Sequence, residues 1–203
     1  SITITVSFAG DDKYAAADDK IITVTVGLTQ AYWYYVLPSM APELDGAEIS
    51  LNVGDSFPPC YAEDEYGNYL PNGQPVKVQF NETCIIDTTV YDNVGSFSVD
   101  ISGVNPGTYT VTFSSPGYTT ATATVTISKI ATEINVTNST LSLNVGDEVD
   151  SGATLTPADA GNLTYTYSNS TVAVVVDGKI QALAAGTAVI TVSFAGNDTY
   201  AAA

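Results

Sequence analysis

Along most of this chain β-branched and aromatic residues alternate with serine and threonine. Glycine, proline, asparagine and aspartate break the alternation roughly every 8 to 12 positions, the rhythm of short strands joined by turns. A period of two sends successive side chains to opposite faces of a sheet. The pattern therefore predicts strands over residues 3–8, 21–26, 76–80, 96–101, 108–113, 122–127, 133–137, 141–145, 163–168, 172–176 and 188–194. No segment carries the 3.6-residue apolar stripe of an amphipathic helix. Asn105-Pro106-Gly107 and Ser115-Pro116-Gly117 are turn signals, and Asp177-Gly178, between Val176 and Lys179, is the pair that a type I′ hairpin favours. Many short strands at this spacing predict an all-β chain of sandwiches.

The chain also repeats itself. Residues 1–17 read SITITVSFAGDDKYAAA and residues 187–203 read TAVITVSFAGNDTYAAA, with 12 identities in 17 positions at an offset of 186. Such self-similarity marks a tandem array. The expectation is a chain that opens and closes at the same point of a repeating unit, so that Ser1 is not a natural domain start. In the first copy an alternating stretch, DDKIITVTV, follows at 18–26; in the second it would lie past Ala203. This gives three parts: 1–26, the closing strands of a preceding repeat; 27–129, a sandwich called A; and 130–203, a sandwich called B that stops one strand short.

Composition narrows the function. The chain has 203 residues, 22 acids, five lysines, no arginine and no histidine, for a formal charge of −17. A polyanion of this strength does not neutralise phosphates, which excludes nucleic acid as a partner, and an anionic bilayer repels it. With 45% hydrophobic and only 13% charged residues it is expected to fold rather than stay disordered. No apolar run is long enough to insert this segment in a membrane. Without histidine or arginine there is no ready general base or anion clamp, and the chain is read as not an enzyme. The two cysteines, Cys60 and Cys84, lack the companions a metal site needs. They are expected to form one disulfide in an oxidising compartment, the rival reading being a pair of inert buried thiols.

Residues 141–147 (LSLNVGD), 168–175 (SNSTVAVV) and 178–192 (GKIQALAAGTAVITV) resemble the bacterial Ig-like family of group 2 across most of B. In that fold Gly146 and Gly186 suit tight turns, while Ala182, Leu183, Val189, Ile190 and Val192 supply core or near-core surface. Part A is similar to a second Ig-like module found in large adhesin-like surface proteins of bacteria and methanogenic archaea. The resemblance rests on 63–80 (EDEYGNYLPNGQPVKVQF), 95–101 and 103–113, and departs from the pattern in its cysteines and its aromatic opening. It implies tandem Ig-like β-sandwiches in an extracellular, cell-surface fibre or adhesin stalk, with neighbouring copies of the repeat, head to tail, as partners.

Several residues are candidates for chemistry beyond that role. Oxygen-rich loops at Asp11 and Asp12, with Asp18 and Asp19, and at Asp64, Glu65 and Asn68 suit calcium, the one cofactor considered. Six Asn-x-Ser/Thr sequons, at Asn81, Asn135, Asn138, Asn162, Asn169 and Asn197, are candidate glycosylation sites. The run 31–42 holds the only tryptophan, Trp33, beside Tyr34 and Tyr35. Aromatic faces stack on sugars, so the alternative function is an adhesin module that binds glycans or protein; the plainer reading makes this run an interdomain joint or the first strand of a sandwich. A third reading is a pilin-like subunit in which Ile21, Ile22, Val24 and Val26 of one molecule complete B in the next. Against it, residues 1–17 duplicate what 187–203 already provide.

Overall fold

The computed structural model describes residues 2–81 and 84–203; Ser1, Glu82 and Thr83 lie outside the description. The described residues contain strands and turns but no helix. The chain divides into two compact units, one made of Ser1–Ala47, Pro58–Val99 and Thr110–Thr124, the other of Glu48–Phe57, Asp100–Tyr109 and Val125–Ala203.

The first unit opens with an antiparallel hairpin of β1 (Ile2–Phe8) and β2 (Ala17–Val24). Its register pairs Ile2 with Val24, Ile4 with Ile22 and Val6 with Lys20, and shifts between Val6 and Phe8. Residues directly opposite share a face, so Ile2, Ile4, Val6, Ile22 and Val24 line one side of the hairpin. Every residue of both strands is exposed.

Next come β3 (Ala31–Tyr35), β4 (Glu48–Asn52), β5 (Cys60–Asp64), β6 (Pro75–Phe80), β7 (Cys84–Thr89), β8 (Ser96–Phe97), β9 (Gly107–Ser114) and β10 (Ala121–Ser128). They form a three-stranded sheet, β3-β5-β8, and a five-stranded sheet, β4-β10-β9-β6-β7. Alternation decides what faces inward. In the first unit Trp33, Cys60, Ala62 and Phe97 of the smaller sheet are buried, as are Val76, Val78, Phe80, Val111 and Phe113 of the larger. Trp33 meets Phe97 edge-on at a centroid distance of 5.8 Å and lies 6.5 Å from Phe113, joining the inner faces of the two sheets as in a sandwich. Burying one such side chain contributes about 1.5–3 kcal/mol.

The second unit contributes its own buried set, Ile49, Phe57, Ile101, Val125 and Ile127. Beyond these lie β11 (Glu133–Val136), β12 (Glu148–Asp150), β13 (Ala153–Thr156), β14 (Thr164–Tyr167), β15 (Ala173–Val176), β16 (Lys179–Ala182) and β17 (Ile190–Ser193). They pair as β11-β13, β12-β16-β15 and β14-β17. Leu155, Ala160 and Phe194 form a buried cluster, with Ile134, Leu163 and Tyr200 packed against it.

Most expected strands are present, and the Asp177-Gly178 hairpin forms with both residues at positive φ, 50° and 78°, as a type I′ turn requires. Three readings are corrected. Residues 141–145 are not a strand: the Asn144 amide donates to the Asp147 carboxylate at 2.7 Å and the Asp147 amide to the Asn144 carbonyl, which turns the chain before β12 begins. Residues 96–101 bury Phe97, Val99 and Ile101 alternately, yet only Ser96 and Phe97 join a ladder. Leu183 and Val189 are exposed rather than core, because on β17 the two-residue period turns Ile190 and Val192 inward and leaves Val189 outside.

Candidate interaction surfaces

The duplicated segment supplies two versions of one local structure. At the end of β1, the Asp11 amide donates to the Tyr14 carbonyl at 2.8 Å, and Asp11 Oδ1 accepts from the amides of Lys13 and Tyr14. After β17, Asn197 repeats this with Tyr200 at 3.0 Å and with the amides of Thr199 and Tyr200. The preceding glycines match too, Gly10 at φ 81° and Gly196 at φ 76°, each with a would-be Cβ pressed against the returning backbone. The turn is written by its own residues, through a glycine that accepts positive φ and a side-chain oxygen that caps the following amides.

The surroundings of the two copies differ. Phe194 is 6% exposed in the Leu155–Ala160 cluster, whereas Phe8 is 46% exposed. Tyr200 donates to the Asp159 carboxylate at 3.0 Å, which raises its own pKa, and Asn197 Nδ2 donates to the Ala160 carbonyl. Tyr14 is exposed, with the Lys13 ammonium over its ring at 5.4 Å. Of the strand-exchange candidates, Ile21, Ile22 and Val24 stand exposed on β2, and Val26 is exposed just past its end. On the other copy β17 pairs with β14 along one edge. Among the described residues no strand lies on its other edge, where Phe194 and Ala203 exchange both backbone hydrogen bonds at 2.8 and 3.0 Å.

The aromatic run is a strand, and its tryptophan is structural. Trp33 is 1% exposed, and its indole Nε1 donates to the Thr119 carbonyl at 2.9 Å, so it offers no face to a ligand. The accessible aromatics are others. Tyr34 stacks on Tyr61 at 4.8 Å and 17°, and Tyr69 meets Tyr61 edge-on at 6.0 Å. Burial and then the Glu63 carboxylate hold the Tyr34 and Tyr61 phenols above their ordinary range. Tyr35 is half-buried opposite Cys60. Tyr61 and Tyr69 were not singled out from sequence. Their signal was present in the eight-residue spacing that brackets the Gly67 turn, which folds Tyr69 back beside Glu63.

The expected disulfide is absent. Cys60 and Cys84 are free thiols in different sheets, Cys60 in β5 and Cys84 at the start of β7. Burial pushes the Cys60 thiol up to about 12 and leaves it inert, its one hydrogen bond running to the Pro58 carbonyl at 3.3 Å. Among the described residues no group of three acids or thiols is placed to hold a metal ion. Asp11 is committed to its turn, and Asp64 accepts from the amides of Tyr66 and Asn68 and from Asn68 Nδ2, bonds that hold its carboxyl below the usual range. Asp12, Asp18 and Asp19 stand exposed on the hairpin. Calcium is thereby left without an assembled site there.

All six sequon asparagines are exposed. Asn169 Oδ1 accepts from the Thr171 hydroxyl at 2.7 Å, while Asn81 Oδ1 accepts from the Thr110 amide. The Thr83 of the Asn81 sequon lies outside the described residues.

Comparisons with known proteins place the second half of the chain. Residues 130–200 match the family model of bacterial Ig-like domains (group 2), as the motifs at 141–147, 168–175 and 178–192 led us to expect. Residues 77–142 match the PEGA domain model, a likeness the sequence reading did not anticipate. Among solved structures, the chain is similar to protocadherin gamma B7 extracellular cadherin domains 1–4, with 10% identity over 97% of this chain and 62% of that one. The TM-score of 0.26 is too low to carry a conclusion. No curated protein matches the chain. The described residues are thus all-β, and residues 130–200 are similar to bacterial Ig-like domains.

Proposed function

We propose that this chain is a structural segment of an extracellular, cell-surface fibre or adhesin stalk built from tandem Ig-like sandwiches, residues 27–129 and 130–203, with 1–26 belonging to a preceding repeat. One observation carries the reading: the same strand and turn occur twice with the same local geometry, once with its phenylalanine buried and once with it exposed. A hairpin that exposes Ile2, Ile4, Val6, Ile22 and Val24 on one face is at home where a further sheet covers it. The group 2 family match supports the surface assignment. Domains in such arrays touch mainly their neighbours, so length grows without redesign of any core. Their work is mechanical: strand ladders resist extension, and the −17 charge keeps adjacent filaments apart. Electron microscopy of native surface material is the test. A thin filament with two bead-like domains per axial repeat supports the proposal; an isolated globular particle overturns it.

A second reading, a module that binds cell-surface glycans, is favoured by the stacked and accessible Tyr34, Tyr61 and Tyr69 beside Glu63. Aromatic faces with a neighbouring carboxylate suit sugar rings and their hydroxyls. Glycan-array binding that vanishes in Tyr61→Ala would establish this reading, and an empty array would dismiss it.

A further inference from the structure

We propose that the outer face of the three-stranded sheet binds carbohydrate whose amino groups are free and protonated, a polymer of glucosamine type, in preference to neutral or acidic sugars. This rests on the glycan-binding reading and names its class of sugar. The strand register assembles the face. Tyr32 lies opposite Glu63 and Tyr34 opposite Tyr61, while isolated bridges set Tyr69 beside Glu63 and Glu43 beside Tyr34. Residues opposite one another, or two apart on one strand, share a face. These four tyrosines and two glutamates therefore stand together on the side away from the buried Trp33 and Ala62.

The face is open and aromatic. Tyr32 is 38% and Tyr69 45% exposed, Tyr34, Tyr61 and Glu63 are half-buried, and Glu43 is exposed. Tyr34 and Tyr61 lie nearly parallel at 4.8 Å, with Tyr69 edge-on to Tyr61 at 6.0 Å. Two rows of side chains about 7 Å apart, on strands about 4.8 Å apart, make a surface with room for more than one sugar ring. Sugar C–H groups can rest on the aromatic rings while the phenol hydroxyls exchange hydrogen bonds with sugar hydroxyls.

Charge decides which sugar. From Ile21 to Val76 the chain carries seven acids and no lysine or arginine. Among the described residues neither Glu43 nor Glu63 is ion-paired, and the one side-chain bond to Glu63, from the Tyr34 hydroxyl, is long at 3.4 Å. The carboxylates are felt at the rings as well: after burial, Glu63 and then Glu43 hold the Tyr34 phenol above its ordinary range. A carboxylate and the electron-rich face of an aromatic ring both attract a cation. A protonated amino group on a sugar meets both at once while the sugar ring stacks. An acetylated amine has no charge to offer, and a uronic acid brings another anion to a chain already at −17.

The test is isothermal titration calorimetry of the full chain at about pH 6, above the ordinary carboxylate range. The probes are a fully deacetylated chitosan oligomer, its N-acetylated counterpart, a galacturonate oligomer, and spermidine, a polyamine without a ring. The chitosan oligomer should bind at least about tenfold more tightly than the acetylated one, the galacturonate should not bind, and spermidine should bind more weakly than chitosan. Glu63→Gln, which keeps the shape of the side chain, should bring chitosan down to the level of the acetylated oligomer, and Tyr34→Ala should weaken both. Equal binding of the two oligomers overturns the charge selection and leaves the glycan reading standing. Binding of neither overturns the inference, and an empty glycan array beside it overturns the wider reading too. Spermidine bound as tightly as chitosan, or chitosan binding undiminished in both variants, also overturns the inference, since charge alone or another acidic surface would then hold the probe.

Discussion

Residues 2–17 and 188–203 are one piece of sequence in two settings, and setting them side by side separates what the local chain determines from what packing determines. The turn belongs to the local chain: Asp11 and Asn197 cap the same amides, and Gly10 and Gly196 take the same backbone. The fate of the strand belongs to packing. Phe194 packs with Leu155 and Ala160, whereas Phe8 is exposed. Identical side chains are therefore core in one place and an unspent apolar face in the other.

The sharpest way to break this comparison is to delete the two phenylalanines in turn. Phe194→Ala should cost about 3–5 kcal/mol, read as a lowered urea midpoint for the unit that contains β17, while Phe8→Ala should stay within about 0.5 kcal/mol. Equal losses would mean that the hairpin is packed as firmly as β17. The glycines come next. Alanine at 196 places a Cβ 2.8 Å from the Ala202 nitrogen at φ 76°, and at 10 it comes 2.6 Å from the Ala16 nitrogen. Both turns are strained by more than about 1 kcal/mol, but only Gly196→Ala should lower the urea midpoint, because only that turn returns into a buried cluster.

A smaller difference separates the capping residues. Asn197→Ala removes two amide caps and the bond to the Ala160 carbonyl, and should cost roughly 1–2 kcal/mol. Asp11→Ala should leave the same unfolding curve where it was. The smallest effect is electrostatic. Hydrogen bonds from Lys179 and then Gln181 hold the Glu148 carboxyl below its ordinary range. A carboxyl depressed in the folded state stabilises above its unfolded pKa and loses that contribution as pH falls through the folded value. Lys179→Met should therefore flatten the acid limb of stability against pH by a small amount and leave Phe8 and the hairpin untouched.

Much of the fold was legible because alternation reports directly on a two-faced strand. The strands at 108–113 and 122–127 follow it closely, each burying every second residue where they pass through the core. The pattern failed where a turn captured an alternating run. In 141–145 the apolar spacing is that of a strand, but Asn144 and Asp147 bond to each other's backbone and end the extension. It also failed to rank the aromatics, since Trp33 and Tyr34 are neighbours in sequence and opposite in fate: one faces Phe97 and the other stacks on Tyr61. The cysteines show the limit most plainly. Their separation along the chain permits a bridge, yet both thiols are free, Cys60 in the three-stranded sheet and Cys84 in the five-stranded one. The duplicated segment, by contrast, makes the same turn in both copies, as its shared residues dictate.

Hydrogen exchange of the two copies in one dilute sample tests the central claim most directly, because β1 and β17 carry the same residues and share intrinsic exchange rates wherever they are identical. The account predicts that amides of Ile190–Ser193 that are bonded to β14 are protected close to the level of their unit, while those of Ile2–Phe8 exchange nearly as fast as an isolated hairpin. Equal protection of the two strands would contradict it, since the first copy would then have a covering of its own.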